Sequence, residues 1–284
     1  MSNEKDSTYS QGYHPAITAN HRQRRVEVEG AFVLPHLHPT DKILDVGCGP
    51  GTITIGFAKR VPEGSVTGVD LSQAVLDQAL AFNTEAESPA TNVTFEIGNV
   101  LDGLKYADDT FDIVFCSQTL LHIPEPVKAL KEMRRVCKPG GFIAARESDF
   151  PFRWYPYLPG LQIADKYIYE QVMGATSLPH PQSPPLQPNA RCGSLVHVWA
   201  REAGFDPAKM KKGVGADVRA SEEERKFWAG MWLGRLDQGG MKDTWRKLGA
   251  TEEEFEILRK DIQAWEANVD GWHAILQAEV ICWK

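Results

Sequence analysis

The chain has 284 residues, of which 42% are hydrophobic and 24% are charged, as in ordinary globular proteins. Its formal net charge of −7 argues against a nucleic-acid partner, because such proteins present basic surfaces to phosphates. No apolar run approaches the roughly 18 residues of a membrane span, and the polar beginning of the chain lacks the apolar region of a signal peptide. We therefore expect a cytoplasmic protein with no integral membrane segment.

The basic residues, cysteines and histidines predict neither a nucleic-acid surface, nor a disulfide framework, nor a metal site. Residues 21–25 form the basic cluster HRQRR, and Glu27 and Glu29 follow it, which predicts a solvated helix face. The five cysteines are widely spaced and contain no C-x-x-C pair, which argues against a disulfide framework and a zinc ribbon. The eight histidines form no H-x-x-x-H pair, so no metal site is predicted.

Three parts follow one another along the chain. Residues 1–40 are polar and then helical, with a helix that begins near His14 and Pro15 and ends before Pro35. Residues 41–149 alternate apolar strands with helical segments, which predicts a parallel α/β sheet. The strands are expected at 42–48, 65–71, 93–100, 111–118 and 141–149, and the helices at 52–61, 73–83 and 126–137. The span 101–110 is too short for a full helix, so one crossover should be abbreviated.

Residues 150–284 are less regular. An aromatic and proline-rich segment at 150–160 precedes a predicted helix at 161–173, and the proline-rich stretch 177–190 predicts an extended surface connector. The apolar helical stripe of Phe227, Trp228, Met231 and Trp232 predicts core or lid packing rather than substrate contact.

A glycine loop carries the strongest functional signal. The sequence LDVGCGPG at 44–51 ends a predicted strand, and a predicted helix begins at Thr52. Glycines at the first turn of such a unit let the backbone approach a ligand, with free amides at the helix start. Asp70 ends the next strand about 20 residues further on, where a carboxylate can accept hydrogen bonds from a ribose diol.

The chemistry around this loop favours a ligand without phosphate. No Lys-Ser or Lys-Thr pair follows the glycines, and the spacing is G-x-G-x-G rather than the G-x-G-x-x-G of nicotinamide dinucleotide sites. Asp45 stands two residues before the first glycine, where a carboxylate would repel a pyrophosphate but suits an ammonium group. S-adenosylmethionine, with an α-ammonium and an adenosine but no phosphate, matches these acidic residues better.

Motifs in the same order resemble the class I S-adenosylmethionine-dependent methyltransferases, and among them the UbiE-like group. They are LDVGCGPG (44–51), VTGVDLS (66–72), IGNVLDGLKYADDTFDIVFCSQTLLHIPEP (97–126) and LKEMRRVCKPGGFI (130–143). Outside this core, segments within 9–37 and 189–205 resemble a subset of the group. The resemblance implies S-adenosyl-L-methionine as cofactor, S-adenosyl-L-homocysteine as product, and a small-molecule acceptor.

The resemblance also implies a role for individual residues. The expected cofactor contacts are Gly47, Cys48, Gly49, Asp70, Leu71, Asn99, Val100 and Ser117. Asn99 stands where most of the group has Asp; it keeps an acceptor for the adenine amino group but loses the charge. His122, which follows the carboxyl end of its strand, is a candidate general base for neutral pH or a structural residue. Tyr13 and His14 head the lid helix and are further catalytic candidates.

The family implies an α/β fold with a doubly wound, mostly parallel seven-stranded sheet whose last strand is antiparallel. Strands six and seven are expected at 209–218 and 275–283, with a helical connection over 221–268. We expect a single compact domain with a lid region at 1–40, a cofactor-binding Rossmann-like core at 41–149 and an acceptor-side region at 150–284. Trp154 and Tyr155 are candidate walls of the acceptor pocket or core residues.

Methyl transfer by in-line displacement needs alignment of the nucleophile and exclusion of water, but no metal. Two alternatives remain open at this stage. One is a non-catalytic or regulatory S-adenosylmethionine-binding relative, and the other is a nicotinamide-dependent oxidoreductase.

Overall fold

Seven strands form one sheet in the order β3-β2-β1-β4-β5-β7-β6. The computed structural model describes residues 22–175, 192–238 and 240–284. The strands are β1 (Lys42–Val46), β2 (Ser65–Asp70), β3 (Val93–Ile97), β4 (Phe111–Ser117), β5 (Cys137–Tyr155), β6 (Met210–Arg219) and β7 (Trp272–Trp283). The first five strands pair in parallel, and β7 is antiparallel to both of its neighbours. The predicted doubly wound sheet is confirmed.

Nine α-helices are present in the described part of the chain. They are α1 (Val26–Glu29), α2 (Thr52–Ala58), α3 (Gln73–Thr84), α4 (Pro126–Val136), α5 (Pro159–Ala175), α6 (Cys192–Glu202), α7 (Glu222–Gln238), α8 (Met241–Lys247) and α9 (Glu252–Ala267). A single turn of 3-10 helix, Leu120–His122, follows β4. No helix lies between β3 and β4, as the abbreviated crossover predicted. None of the helices among the described residues has the length and apolar character that crossing a bilayer requires.

Apolar residues on both faces of the central strands explain why the sheet is covered on both sides. In β1, Ile43 and Leu44 are fully buried on opposite faces. The buried residues of α4, Ala129, Leu130, Met133 and Val136, recur at helical spacing and pack on one face with α6. Residues of α1 and α2 cover the other face.

A third cluster of buried residues joins α5, α7, α8 and α9 into a helical roof beyond the carboxyl ends of the strands. Its side chains include Trp232, Trp245 and Trp265, each at most 2% exposed. The capping box of Thr251 and Glu254 fixes the start of α9. The roof places a second group of helices above the same edge of the sheet at which the glycine loop lies.

Strand β5 is longer than the sequence predicted. It was expected over 141–149, but it begins at Cys137 and continues to Tyr155. It pairs with β7 over 142–149 and 153–155, with a register shift between Asp149 and Arg153. Phe150, Phe152 and Trp154 alternate along this extension and pack against the helical roof. The neighbouring prolines obscured this period-two pattern in the sequence.

The end of the predicted lid region belongs partly to the core. Val26 and Val33 are at most 1% exposed and pack in the same cluster as Phe57 of α2. Instead of one long helix ending before Pro35, the described residues form the short α1 and a 3-10 turn at Leu34–His36. The predicted helix start at His14 and the connector 177–190 lie outside the described residues.

Phe115 in β4 tests the packing between the sheet and α2. Its ring is fully buried, and its centroid lies 5.0 Å from that of Phe57. We expect Phe115→Ala to lower the free energy of unfolding by about 3–5 kcal/mol, because it removes buried area and leaves a cavity. Urea denaturation measures the loss. The control is Phe82→Ala on α3, where the ring is 41% exposed and the expected change is below about 0.5 kcal/mol; equal losses would contradict this view of the core.

Candidate active site

The glycine loop between β1 and α2 is pinned to the end of β2. The amides of Gly47 and Cys48 both donate to the carbonyl of Val69, at 2.8 and 3.0 Å. Gly47 has a φ of +73°, and a Cβ there would stand 2.5 Å from Oγ1 of Thr119. Gly49 has a φ of +54°, and a Cβ there would meet nothing within 4 Å. The loop therefore presents bare backbone to open space.

A first cavity, with about 1150 Å³ of empty space including its open mouth, lies beside this loop. All eight residues that the resemblance assigns to the cofactor line it: Gly47, Cys48, Gly49, Asp70, Leu71, Asn99, Val100 and Ser117. The candidate base His122 lines it as well. The cavity lies outside the carboxyl ends of the strands, where ligands bind in doubly wound sheets. The contact of these residues with a cofactor remains a prediction.

Two carboxylates line the first cavity, that of Asp45 buried and that of Asp70 partly exposed. Asp45 is 2% exposed and accepts a hydrogen bond from Oγ1 of Thr54 at 2.6 Å. Burial raises the pKa of Asp45 to about 7, with a smaller contribution from the charge of Asp70. Asp70 accepts from the amides of Gly49 at 3.0 Å and Ser72 at 3.1 Å, and burial raises its pKa although these amides oppose the shift. Neither carboxylate pairs with a cation among the described residues.

Asn99 is already engaged within its own loop. Its Nδ2 donates to Asp102 at 2.8 Å, and its Oδ1 accepts from the amide of Leu101 at 3.0 Å. One lone pair of Oδ1 is left for a ligand. The expected contact with an adenine amino group is therefore compatible with the structure, but the side chain also braces the turn after β3.

Glu147 organises the loop that follows β4. Its carboxylate is fully buried and accepts from the amides of Thr119, Leu120 and Leu121 at 2.9, 2.8 and 3.3 Å. Burial raises the pKa of Glu147 to about 7, and the three amides oppose that shift. The carboxylate thereby fixes the 3-10 turn that ends at His122.

His122 is partly buried, and its surroundings make it a weak base. Burial lowers the pKa of His122 to about 3, and the positive charge of Arg24 acts in the same direction. The imidazole is therefore neutral at pH 7, but a group with so low a pKa accepts a proton poorly at that pH. The pKa near 6.5 on which the base role depends is not found in the structure, which favours a structural role.

Sequence reasoning missed two residues at the edge of the first cavity, Arg24 and Gln118. Arg24 belongs to the HRQRR cluster, of which Arg22, Gln23 and Arg25 are exposed as expected. Arg24 instead is partly buried and lines the first cavity together with Gln118. Gln118 has a φ of +55°, an uncommon conformation for a residue other than glycine. No sequence signal distinguishes Arg24 from its neighbours, because its position depends on tertiary packing.

A second cavity, with about 1420 Å³ of empty space including its mouth, adjoins the first. Arg24 and Gln118 line both cavities. Its wall also contains aromatic side chains, His273, and charged residues that include Glu29, Asp217, Arg219 and Glu224. The stripe of α7 thus contributes three aromatic residues to this wall, whereas Met231 is buried in the roof.

The two candidate acceptor walls lie elsewhere. Trp154 packs behind the second cavity, with its ring centroid 4.3 Å from that of His273 and its Nε1 3.4 Å from Asp165. Tyr155 is 58% exposed. Phe150 and Phe152, earlier in the same segment, line the cavity instead. The catalytic candidates Tyr13 and His14 lie outside the described residues, among which no group of three or more His, Cys, Asp or Glu side chains could hold a metal ion.

Comparison with known proteins agrees with this geometry. A family model described as "Methyltransferase domain" matches residues 37–177. The chain is 37% identical over 287 residues to "Probable methyltransferase ltbC" of Aspergillus luteorubrus, with 98% of each protein covered. It is 31% identical over 182 residues to a demethylmenaquinone methyltransferase of Symbiobacterium thermophilum, with 60% of this chain and 70% of that protein covered. The solved structure of the YcgJ protein from Bacillus subtilis shares the fold, with a TM-score of 0.54, 18% identity, and coverage of 89% of this chain and 97% of that one.

The chain belongs to the S-adenosylmethionine-dependent methyltransferases. The match to the demethylmenaquinone methyltransferase, which represents the UbiE-like group, covers 60% of this chain. The match to the fungal relative covers 98% of this chain. Sequence similarity to the fungal methyltransferase therefore extends over the residues that form the helical roof in this chain. Membership in this family also excludes the nicotinamide-dependent oxidoreductase alternative.

The pKa of His122 leads to a prediction for this methyltransferase. Because the imidazole stays neutral down to a pH of about 3, we expect no inflection near pH 6.5 in the rate that His122 causes. The pH–rate profile of His122→Gln should therefore have the same shape as that of the wild type between pH 5.5 and 8. A step that is present in the wild type and absent from the variant, with cofactor affinity unchanged, would restore the base role.

Proposed function

We propose that the first cavity holds S-adenosylmethionine and that the protein transfers its methyl group to a small molecule. S-adenosylmethionine supplies a methyl group that its sulfonium centre already activates. The residues present fit this group in two respects. The open space beside Gly49 accepts a ligand against the backbone, and Oγ of Ser117 is buried at the cavity with no hydrogen-bond partner among the described residues.

The observation that carries the proposal is the pair of unneutralised carboxylates at this cavity. In this proposal Asp70, the last residue of β2, accepts hydrogen bonds from the ribose hydroxyls, and Asp45 offers negative charge to the α-ammonium. Leu71, which is 40% exposed beside Asp70, offers an apolar surface to the adenine ring. A phosphate-bearing cofactor finds the opposite electrostatics here, since two carboxylates would repel it.

The protein's part in the transfer is to align the acceptor and to exclude water. We propose a cytoplasmic enzyme that acts on a small molecule rather than on nucleic acid, since the net charge is −7. A regulatory relative that binds the cofactor without turnover is distinguished by the absence of any methylated product when a metabolite extract is incubated with labelled S-adenosylmethionine.

The carboxylate of Asp70 provides the direct test of cofactor binding. We expect Asp70→Ala to weaken the binding of S-adenosylhomocysteine by about ten- to a hundredfold, because the ribose hydroxyls lose a charged acceptor. Isothermal titration calorimetry measures the affinity. Asp77→Ala is the matched control, since Asp77 lies on α3 and bonds to the exposed Gln73 instead of lining the cavity. Unchanged binding in Asp70→Ala would contradict the assignment.

The raised pKa of Asp45 predicts a pH dependence of cofactor binding. An α-ammonium binds to the ionised carboxylate, so Asp45 must lose its proton when the ligand binds below its pKa of about 7. The affinity for S-adenosylhomocysteine should therefore be about tenfold lower at pH 6 than at pH 8.

The isosteric variant Asp45→Asn isolates this effect, because its amide oxygen can still accept from Thr54 and Asp70 is present in both proteins. We expect the variant to bind more weakly at every pH and to lose most of the dependence. Equal slopes in the two proteins would place the titration on another group.

A further inference from the structure

The second cavity has a position that suits a reaction partner of the cofactor. It adjoins the first cavity, and the two share Arg24 and Gln118 in their walls. Methyl transfer requires the reacting atoms to lie about 3–3.5 Å apart before reaction. A molecule in the second cavity can reach the cofactor at this junction, whereas a molecule on the outer surface of the sheet cannot.

One part of the wall of the second cavity is aromatic, whereas the rest is lined mostly by polar and charged side chains. The His273 ring lies among the rings of Phe152, Trp154 and Trp228, at centroid distances of 5.0, 4.3 and 5.2 Å. Burial lowers the pKa of His273 to about 3, so this ring is neutral at physiological pH. Rings packed in this way favour a ligand that contains a ring, while the polar remainder of the wall suits its polar groups.

The same wall has hydrogen-bonding capacity that no described residue uses. Nε1 of Trp228 and both ring nitrogens of His273 are buried without a partner among the described residues. Buried polar groups in native structures generally have partners, including water or a ligand. An oxygen-bearing ligand, with or without a bridging water, is one such partner.

The carboxylates of the wall are already engaged. Asp217 accepts from Arg146 at 2.6 Å and from Gln277 at 2.9 Å. Burial alone would raise the pKa of Asp217, but Arg146 and the other nearby arginines outweigh burial, so the pKa is lowered. Glu29 accepts from the amide of Arg25 at 2.7 Å.

Glu224 accepts from the amides of Ala220 and Ser221 at the start of α7, both at 3.0 Å. Asp217 is therefore neutralised by Arg146, whereas Glu29 and Glu224 accept from backbone amides.

The arginines of the wall are less fully engaged. Arg24 forms no hydrogen bond and no ion pair with any other described residue, although its charge lowers the pKa values of Glu147 and Asp217. The guanidinium of Arg219 lies over the Trp228 ring, 5.4 Å from its centroid. The cavity thus combines aromatic surface with an available cation at the junction, in a protein whose net charge is −7.

We propose that the second cavity binds the methyl acceptor, and that this acceptor is a ring-containing molecule whose acidic oxygen lies beside Arg24. The proposal rests on the proposed function of the first cavity. The acidic O–H, a phenol or a carboxylic acid, gives its proton to water, and Arg24 stabilises the resulting anion. The oxygen then attacks the methyl carbon; the O–C bond forms while the S–C bond breaks, and its electron pair stays on sulfur to give neutral S-adenosylhomocysteine. No protein base is needed, which agrees with the weak basicity of His122.

Two fluorescent probes of similar shape test both the cavity and its charge preference. Anilinonaphthalene sulfonate carries an anionic group on an aromatic body, and phenylnaphthylamine is its neutral counterpart. We expect the wild type to bind the anionic probe more tightly, with energy transfer from tryptophan. Arg24→Gln should weaken binding of the anionic probe by about tenfold or more and leave the neutral probe unaffected.

A second variant tests the aromatic wall, and a third is the control. Trp228→Leu should weaken the binding of both probes by about fivefold. Arg22→Gln should leave both affinities unchanged, because Arg22 is exposed, bonds to Gln78 and lines neither cavity. The melting temperature of each variant should lie within a few degrees of that of the wild type, which shows that the binding comparison is made on folded protein.

Titration with S-adenosylhomocysteine separates this proposal from the one on which it rests. If S-adenosylhomocysteine binds and leaves the anionic probe in place, the two cavities hold two ligands, as proposed. One-for-one displacement of the probe by S-adenosylhomocysteine, or equal affinities of the anionic probe for the wild type and Arg24→Gln, would overturn the acceptor proposal. Failure of S-adenosylhomocysteine to bind at all would instead overturn the assignment of the first cavity.

Discussion

The buried carboxylate of Glu147 is the constraint on which the arrangement of both cavities depends. Glu147 lies on β5, and it accepts hydrogen bonds from three backbone amides of the loop after β4. One side chain thereby joins two neighbouring central strands at their carboxyl ends. An uncompensated carboxylate in that position would be costly, and three amide donors provide the compensation. The loop held in this way places Thr119 against Gly47 and leaves Gln118 at the boundary between the cavities.

From this boundary a directional chain of hydrogen bonds extends beneath the second cavity. Arg146 fixes the carboxylate of Asp217, which can only accept, so the Nε2 of Gln277 must donate to it. The Oε1 of Gln277 then accepts from Nε2 of Gln118. The Oε1 of Gln118 in turn accepts from the hydroxyl of Ser148 at 2.6 Å. The ion pair between Arg146 and Asp217 therefore sets the orientation of the Gln118 amide at the junction. The same hydrogen bonds hold the side chain of Gln118, whose backbone conformation is uncommon.

Sequence reasoning succeeded where the determining interactions are local. The glycine loop, Asp70 and the alternation of strands and helices each depend on short segments, so spacing predicted a parallel α/β sheet with a ligand loop. The resemblance to the methyltransferases then assigned the eight residues that line the first cavity. It failed where the environment comes from distant segments. Arg24 is distinguished from Arg22 and Arg25 only by how α1 packs, and the wall of the second cavity combines the extension of β5 with α7 and β7. The periodicity of a single segment cannot predict which distant segments pack against it.

The two cavities differ in charge: the first has carboxylates, and its junction with the second has the guanidinium of Arg24. The first cavity has carboxylates whose pKa values burial raises, so the empty protein holds negative charge at a cost that a bound ammonium relieves. In the second cavity Arg146 neutralises Asp217, and Arg24 is available at the junction. The proposed cationic methyl donor and the proposed anionic acceptor are therefore each favoured on their own side of the loop after β4. Transfer between them would remove the charges of the sulfonium and of the acceptor oxygen, whereas S-adenosylhomocysteine keeps its α-ammonium. The methylated acceptor thus loses its attraction to Arg24, which favours its release.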